Sequence, residues 1–217
     1  MHRLLDVNQP QIVSAIVIEN SIMNKIQYVK SAWIICSIFL LLSLNSCADS
    51  LQDEHVYRIA LQGFCSKKVK GYSFLQNTST PLPKRTKLST SSVGELNAEA
   101  MDDMYDRNKT ITTLPASIAC DQLKILSEAE ILKGFDTKPK LPHSIAVDED
   151  WAGFYETFPG VSDIVKVSMP GYSKDGKQAV IYLQSVCGSL CGGGSFMQYK
   201  NVNGAWLYDK TSSVWTT

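Results

Sequence analysis

Histidine is scarce in this 217-residue chain: there are three, and only His55 and His143 fall beyond the first 50 residues. A zinc site takes four nitrogen or sulfur ligands, so two distant histidines offer little, and neither a metal nor another cofactor is expected. Net charge is missing too, with 21 Lys plus Arg against 21 Asp plus Glu. Binding a phosphate backbone needs a basic footprint, and its absence excludes nucleic acid as a partner. The basic clusters Lys67–Lys70 and Lys84–Lys87 lie among Gly, Ser, Thr and Pro and read as solvated loops.

Catalytic spacing is also lacking. There is no GxSxG, no HExxH, no GxGxxG and no glycine loop followed by Lys and Ser or Thr. Asp148-Glu149-Asp150 stands in front of a helical pattern, where acidic groups meet the positive end of the helix dipole. His143 follows Pro142 in a loop and reads as exposed. No residue is assigned a catalytic role.

A transmembrane helix needs about 20 apolar residues, and no run reaches that length. The uncharged stretch Ala32–Leu44 follows Lys25 and Lys30, which is the pattern of a signal-peptide core. Next comes Leu44-Asn45-Ser46-Cys47, which resembles the bacterial lipobox: an aliphatic residue three before the cysteine and a small residue just before it. The resemblance implies cleavage before Cys47, diacylglycerol on its thiol, and membrane attachment through that lipid. Two or three acyl chains hold a soluble domain stably, at about 0.8 kcal/mol per buried methylene. The alternative is an ordinary signal peptide cut at a nearby small residue.

Residues 1–22 carry Asp6 and Glu19 ahead of what is already a complete signal, so they read as an upstream extension, with Met23 the expected start. Residues 23–46 are then the lipoprotein signal peptide and 47–53 a lipidated tether. The remainder, 54–217, is expected to be one α+β domain with an exposed loop over about 77–92. The expected address is the bacterial cell envelope. Ala48 behind the lipid cysteine favours the outer membrane, with periplasmic or surface exposure left open.

With Cys36 in the signal and Cys47 lipidated, Cys65, Cys120, Cys187 and Cys191 remain. An even count in an oxidising compartment favours disulfides. Three pairings are open; Cys187 with Cys191 closes the shortest loop, and Cys65 with Cys120 would then follow. The Cys187–Gly194 segment, containing Gly188, Gly192, Gly193 and Gly194, reads as a wide hairpin loop stapled by a disulfide and is the candidate ligand-side loop. Thiol redox catalysts place two residues between their cysteines and start a helix at the first. Here three intervene, between strands.

Leu51, Val56, Ile59 and Ala60 suit one helical face ending near Gly63. Gly71–Gln76 reads as a strand. Leu96, Ala100, Met101, Met104 and Tyr105 predict a second helix, capped by Ser91 or Ser92. Ser127 and Glu130 have the capping-box form, with Ile131, Leu132 and Phe135 as the buried face. Trp151, Phe154, Tyr155 and Phe158 make an aromatic helical stripe stopped by Pro159-Gly160. From Ile164 the period becomes two, with turns at Ser173–Gly176 and Asn203-Gly204 and end pieces Ala205–Tyr208 and Val214-Trp215. The fold class is α+β: several short helices, then a C-terminal antiparallel β-meander packed against the aromatic helix.

An ordered string of residues carries a second resemblance: Trp151-x-x-Phe154-Tyr155, Phe158-Pro159, Ser168-x-x-Gly171-Tyr172, Gln178-Ala179, Cys187-Gly188-Ser189-Leu190-Cys191-Gly192, Gly204-x-Trp206 and Trp215. Over Ala98–Thr217 the chain is similar to a family of uncharacterised secreted bacterial proteins, and Asp102–Asn108 is similar to that family's short helix ending in Asn. The resemblance implies a shared fold and no assigned activity. Members often carry small residues in place of the two hairpin cysteines, which implies no essential thiol. The expectation is a non-enzymatic binding or structural envelope module whose partner is a protein, a glycan or a small ligand. The alternative is an enzyme of unrecognised type with its site beside the Cys187–Gly194 loop.

Overall fold

In the computed structural model, which describes residues 50–65, 71–82, 95–136 and 149–217, seven strands join one mixed sheet in an α+β fold. The helices are α1 (residues 50–60), α2 (Gln62–Cys65), α3 (Ala98–Arg107), α4 (Glu128–Phe135) and α5 (Glu149–Thr157). The strands are β1 (Tyr72–Gln76), β2 (Leu123–Leu126), β3 (Val161–Val167), β4 (Gly171–Tyr172), β5 (Gln178–Gly188), β6 (Cys191–Val202) and β7 (Ala205–Thr216). Their order is β2-β1-β3-β5-β6-β7, with β4 beside β5. The meander β5–β6–β7 is antiparallel, as the alternation and the turns predict. β1 adds a parallel half by pairing with both β2 and β3.

Alternation along the strands gives the sheet two covered faces. On one, Val56, Tyr57, Ala60 and Leu61 from α1 and the turn after it pack on Leu75, Val165, Ile181 and Tyr199. On the other, Ala100, Met101 and Met104 of α3 pack on Val180, Tyr182 and Phe196. Beside them α4 and α5 cover Phe74 and Ile164, with Val186 of β5 packed against the same cluster. The aromatic stripe is therefore core: Phe135 stacks on Phe154 at 4.7 Å, and Phe74 meets Phe158 edge-on at 4.8 Å. Fully burying a side chain such as Phe154 contributes about 1.5–3 kcal/mol.

Several local expectations are corrected. Of the residues expected to be tether, 50–53 belong to α1, and Asp53 is buried in an ion pair with Arg107. The chain continues past Gly63 as the short helix α2, which carries Cys65 to its partner. Asn97 caps α3, accepting from the Ala100 amide at 2.8 Å, so Ser91 and Ser92 are not needed there. The Ser127–Glu130 capping box forms, but Leu132 is exposed and Gly134 takes its place on the buried face. β7 is one strand of 12 residues where two pieces were expected. Register shifts beside Gln198 and Gly194 let it bend without ending. Signal residues 23–46, Cys47, both basic clusters, His143 and residues 83–92 of the expected loop lie outside the described residues.

β3 and β4 run along the same side of β5 and are separated only by Ser168-Met169-Pro170. Proline has no amide hydrogen for the ladder, so the strand breaks there. Side chains repair the break. The Tyr182 amide donates to Ser168 Oγ at 2.9 Å. The Asn108 carboxamide donates to Met169 O at 2.9 Å and accepts from Met169 N at 2.7 Å. Beyond the break α3 crosses directly over Gly171, where an added Cβ would lie 2.1 Å from Met104 N and 2.3 Å from Ala100 O. Only glycine permits that approach.

Candidate functional site

Both disulfides are present, Cys65–Cys120 and Cys187–Cys191, with Cα–Cα distances of 5.8 and 5.0 Å. The first ties α2 to the segment entering β2, and both of its cysteines pack against the α1 side of the core. The second closes the β5–β6 hairpin. The expected Cys187–Gly194 loop is smaller than the sequence suggests: Gly188 ends β5, only Ser189 and Leu190 form the turn, and Gly192, Gly193 and Gly194 are already in β6. Leu190 at its tip is 87% exposed.

What occupies the glycine run is Trp215. On β6 the side chains of Gly192 and Gly194 would point to the face carrying that indole. An added Cβ at Gly194 would fall 2.3 Å from Trp215 Nε1 and 2.2 Å from the Tyr182 hydroxyl. The glycines thus let an aromatic ring lie flat on the strand. Among the described residues no group of three or more His, Cys, Asp or Glu side chains could hold a metal.

Two buried polar clusters went unnoticed in the sequence. In the first, Arg107 grips Asp53 with two hydrogen bonds of 2.9 and 2.7 Å and donates to Pro170 O at 2.6 Å, while the Tyr172 hydroxyl donates to Asp53 at 2.8 Å. Burial opposes the guanidinium charge, but the Asp53 carboxylate outweighs it and holds Arg107 above its ordinary range. Burial, reinforced by that carboxylate, pushes the Tyr172 phenol well above its ordinary 10. This cluster fastens α1 and α3 to the broken strand. In the second, buried Asp163 accepts from Ser162 and Ser185 at 2.7 Å each, and from Ser73, joining β1, β3 and β5.

Concave surface lies on both faces of the sheet. An open groove of about 450 Å³ runs between α1–α2 and the strands β5–β7, lined by Ile59, Phe64, Leu183, Met197, Tyr199 and Tyr208. It is mostly apolar, with Gln62 also among its lining residues. A smaller, more enclosed cleft of about 200 Å³ lies beside α4 and α5 on the opposite face. Its wall is Ile131, Phe135 and Trp151, its floor Gln76, Ile164, Lys166, Gln184 and Val186, and Glu128 stands at its edge with Leu132. Lys166 and Gln184 face each other across β3 and β5, so their polar ends share one patch of floor. Ligand sites combine an apolar wall with a few placed polar groups, and this cleft has both. The capping box had located α4, but nothing in sequence spacing pairs Lys166 with Gln184.

Fold and cleft together define a disulfide-stapled α+β domain with a small amphipathic cleft on its sheet. No protein family, curated protein or solved structure matches this chain.

Proposed function

We propose that this chain is an envelope lipoprotein, anchored through lipid on Cys47, whose domain is a non-enzymatic module binding a small ligand in the cleft beside α4 and α5. The cleft carries the reading: aromatic and aliphatic walls from Trp151, Phe135 and Ile131 enclose a floor with Lys166 and Gln184. Apolar walls give affinity and few polar groups give orientation. Support for the address comes from the Leu44-Asn45-Ser46-Cys47 sequence and from the pairing of Cys65, Cys120, Cys187 and Cys191 in disulfides, which oxidising compartments favour. An outer-membrane position follows from Ala48 after the lipid cysteine. The larger groove is more open and would enclose a small ligand less completely, so it ranks second.

The test is a small-molecule screen by amide chemical-shift mapping on the full chain carrying Cys47→Ser. Hits should shift Ile131, Phe135, Ile164, Lys166 and Gln184 together. Hits that shift only the Ile59–Tyr208 groove, or the hairpin around Leu190, would move the function elsewhere on the domain.

A further inference from the structure

The floor of the cleft has a direction built into its hydrogen bonds. Trp215 Nε1 donates to the Tyr182 hydroxyl at 2.8 Å, and that hydroxyl donates to Gln184 Oε1 at 3.3 Å. An indole N–H can only donate, so the phenol has one proton to pass on and passes it to the carboxamide oxygen. Gln184 is thereby oriented, its oxygen engaged by Tyr182 and its NH2 group turned away from it. Across the strand pair stands Lys166, which can only donate and forms no ion pair among the described residues. The other floor amide, Gln76, gives one N–H to Thr78 Oγ1 at 2.9 Å and keeps its second N–H and its carbonyl oxygen. Lys166 and Gln184, register partners across β3 and β5, therefore present donors to one patch of floor, one of them cationic.

We infer that the cleft takes a small apolar carboxylate, its body against Trp151, Phe135 and Ile131 and its carboxylate on the donor pair Lys166 and Gln184. The inference rests on the cleft being the binding site and adds the class of ligand. A carboxylate has acceptor positions for both donors at once, and charge-assisted bonds of this kind are roughly twice as strong as neutral ones. Glu128, exposed on the first turn of α4, also lines the cleft, so an anion there relies on Lys166 for its counter-charge. The volume of about 200 Å³ limits the ligand to a short aliphatic or single-ring acid. Trp215 and Tyr182 are positioning residues here, since they act through the orientation of Gln184. The glycines of β6 belong to the same device: the bare backbone at Gly194 is what admits the indole to Tyr182.

The test uses the full chain with Cys47→Ser and measures binding of hexanoate and 3-phenylpropionate against the matching amides and amines, with amide shifts to locate each probe. The acids should bind at the cleft and the amides at least about tenfold more weakly, with the amines weaker still. Lys166→Gln should erase the preference of acid over amide while leaving the amide affinity within about twofold. Gln184→Glu should abolish acid binding and spare the amide. Tyr182→Phe removes the proton that orients Gln184 and should weaken the acid alone. Should Tyr182→Phe unfold the domain, Trp215→Phe tests the same chain from its other end. Amides or amines bound in the cleft as tightly as the acids would overturn the ligand class and leave the binding cleft standing. If no probe shifts a cleft residue, the cleft itself is refuted as the site.

Discussion

Removing the two disulfides should cost very different amounts. In the loop-entropy account, a cross-link stabilises by restricting the unfolded chain, and the effect grows with the logarithm of the closed loop. Cys65 and Cys120 are 55 residues apart, and Cys187 and Cys191 only 4. Those separations give about 4 kcal/mol for the first bond and about 2 kcal/mol for the second at 25 °C. Packing widens the gap, because Cys65 and Cys120 lie against the α1 core while Cys191 is exposed at the hairpin. The assay is urea unfolding followed by tryptophan fluorescence, on Cys47→Ser chains carrying either Cys65→Ala with Cys120→Ala or Cys187→Ala with Cys191→Ala. With a slope of about 2 kcal/mol per M, the midpoint should drop by about 2 M for the first pair and about 1 M for the second. Equal losses, or a larger loss from the hairpin pair, would refute the reasoning and would mean that Cys187–Cys191 maintains something beyond chain entropy.

Arg107→Met should destabilise by about 3–5 kcal/mol, since it leaves the Asp53 carboxylate buried without its cation, and adding Asp53→Leu should recover part of the loss in a double-mutant cycle. Gly194→Ala should lower stability by about 1–3 kcal/mol and red-shift tryptophan emission by displacing Trp215. Gly193→Ala, whose added Cβ comes no closer than 3.4 Å to Trp215 O, should do much less. Acid should weaken the fold: hydrogen bonds hold Glu54 (from Arg58), Glu130 (from Ser127), Asp175 (from Ser173) and Asp209 (from Lys200) below their ordinary 4.5 or 3.8. Their contribution is complete above those ordinary values and is lost as pH falls through the lowered ones, so Tm should drop below about pH 4 and Asp209→Asn should flatten part of the fall.

Periodicity carried most of the fold. The stripes Ala100–Met101–Met104 and Trp151–Phe154 emerge as buried helix faces, the Ser127–Glu130 box starts α4 where its chemistry requires, and Asn203-Gly204 makes the last hairpin turn. β2 was missed because Leu123–Leu126 is four residues long and carries too little alternation to separate it from a loop. Its existence depends on β1, which pairs with it in parallel across 46 residues of intervening chain, and local patterns say nothing about such pairing. The same holds for the polar clusters. Asp53, Arg107 and Tyr172 are ordinary surface residue types whose meeting is decided by where α1, α3 and the β3–β4 break come together. The glycine run was legible as unusual, but its reason, a tryptophan 21 residues after Gly194 lying on it, required the β6–β7 register. The cleft shows the limit most plainly: Lys166 and Gln184 become neighbours only through β3–β5 pairing.

The most direct test of a lipid-anchored, disulfide-stapled module is the intact mass of the membrane-extracted protein, native and after reduction with alkylation. The account predicts a chain beginning at Cys47 with acyl mass on it, and four alkylated thiols that appear only after reduction. A terminus elsewhere or an unmodified Cys47 would contradict the anchor, and free Cys187 and Cys191 in the native protein would contradict the stapled hairpin.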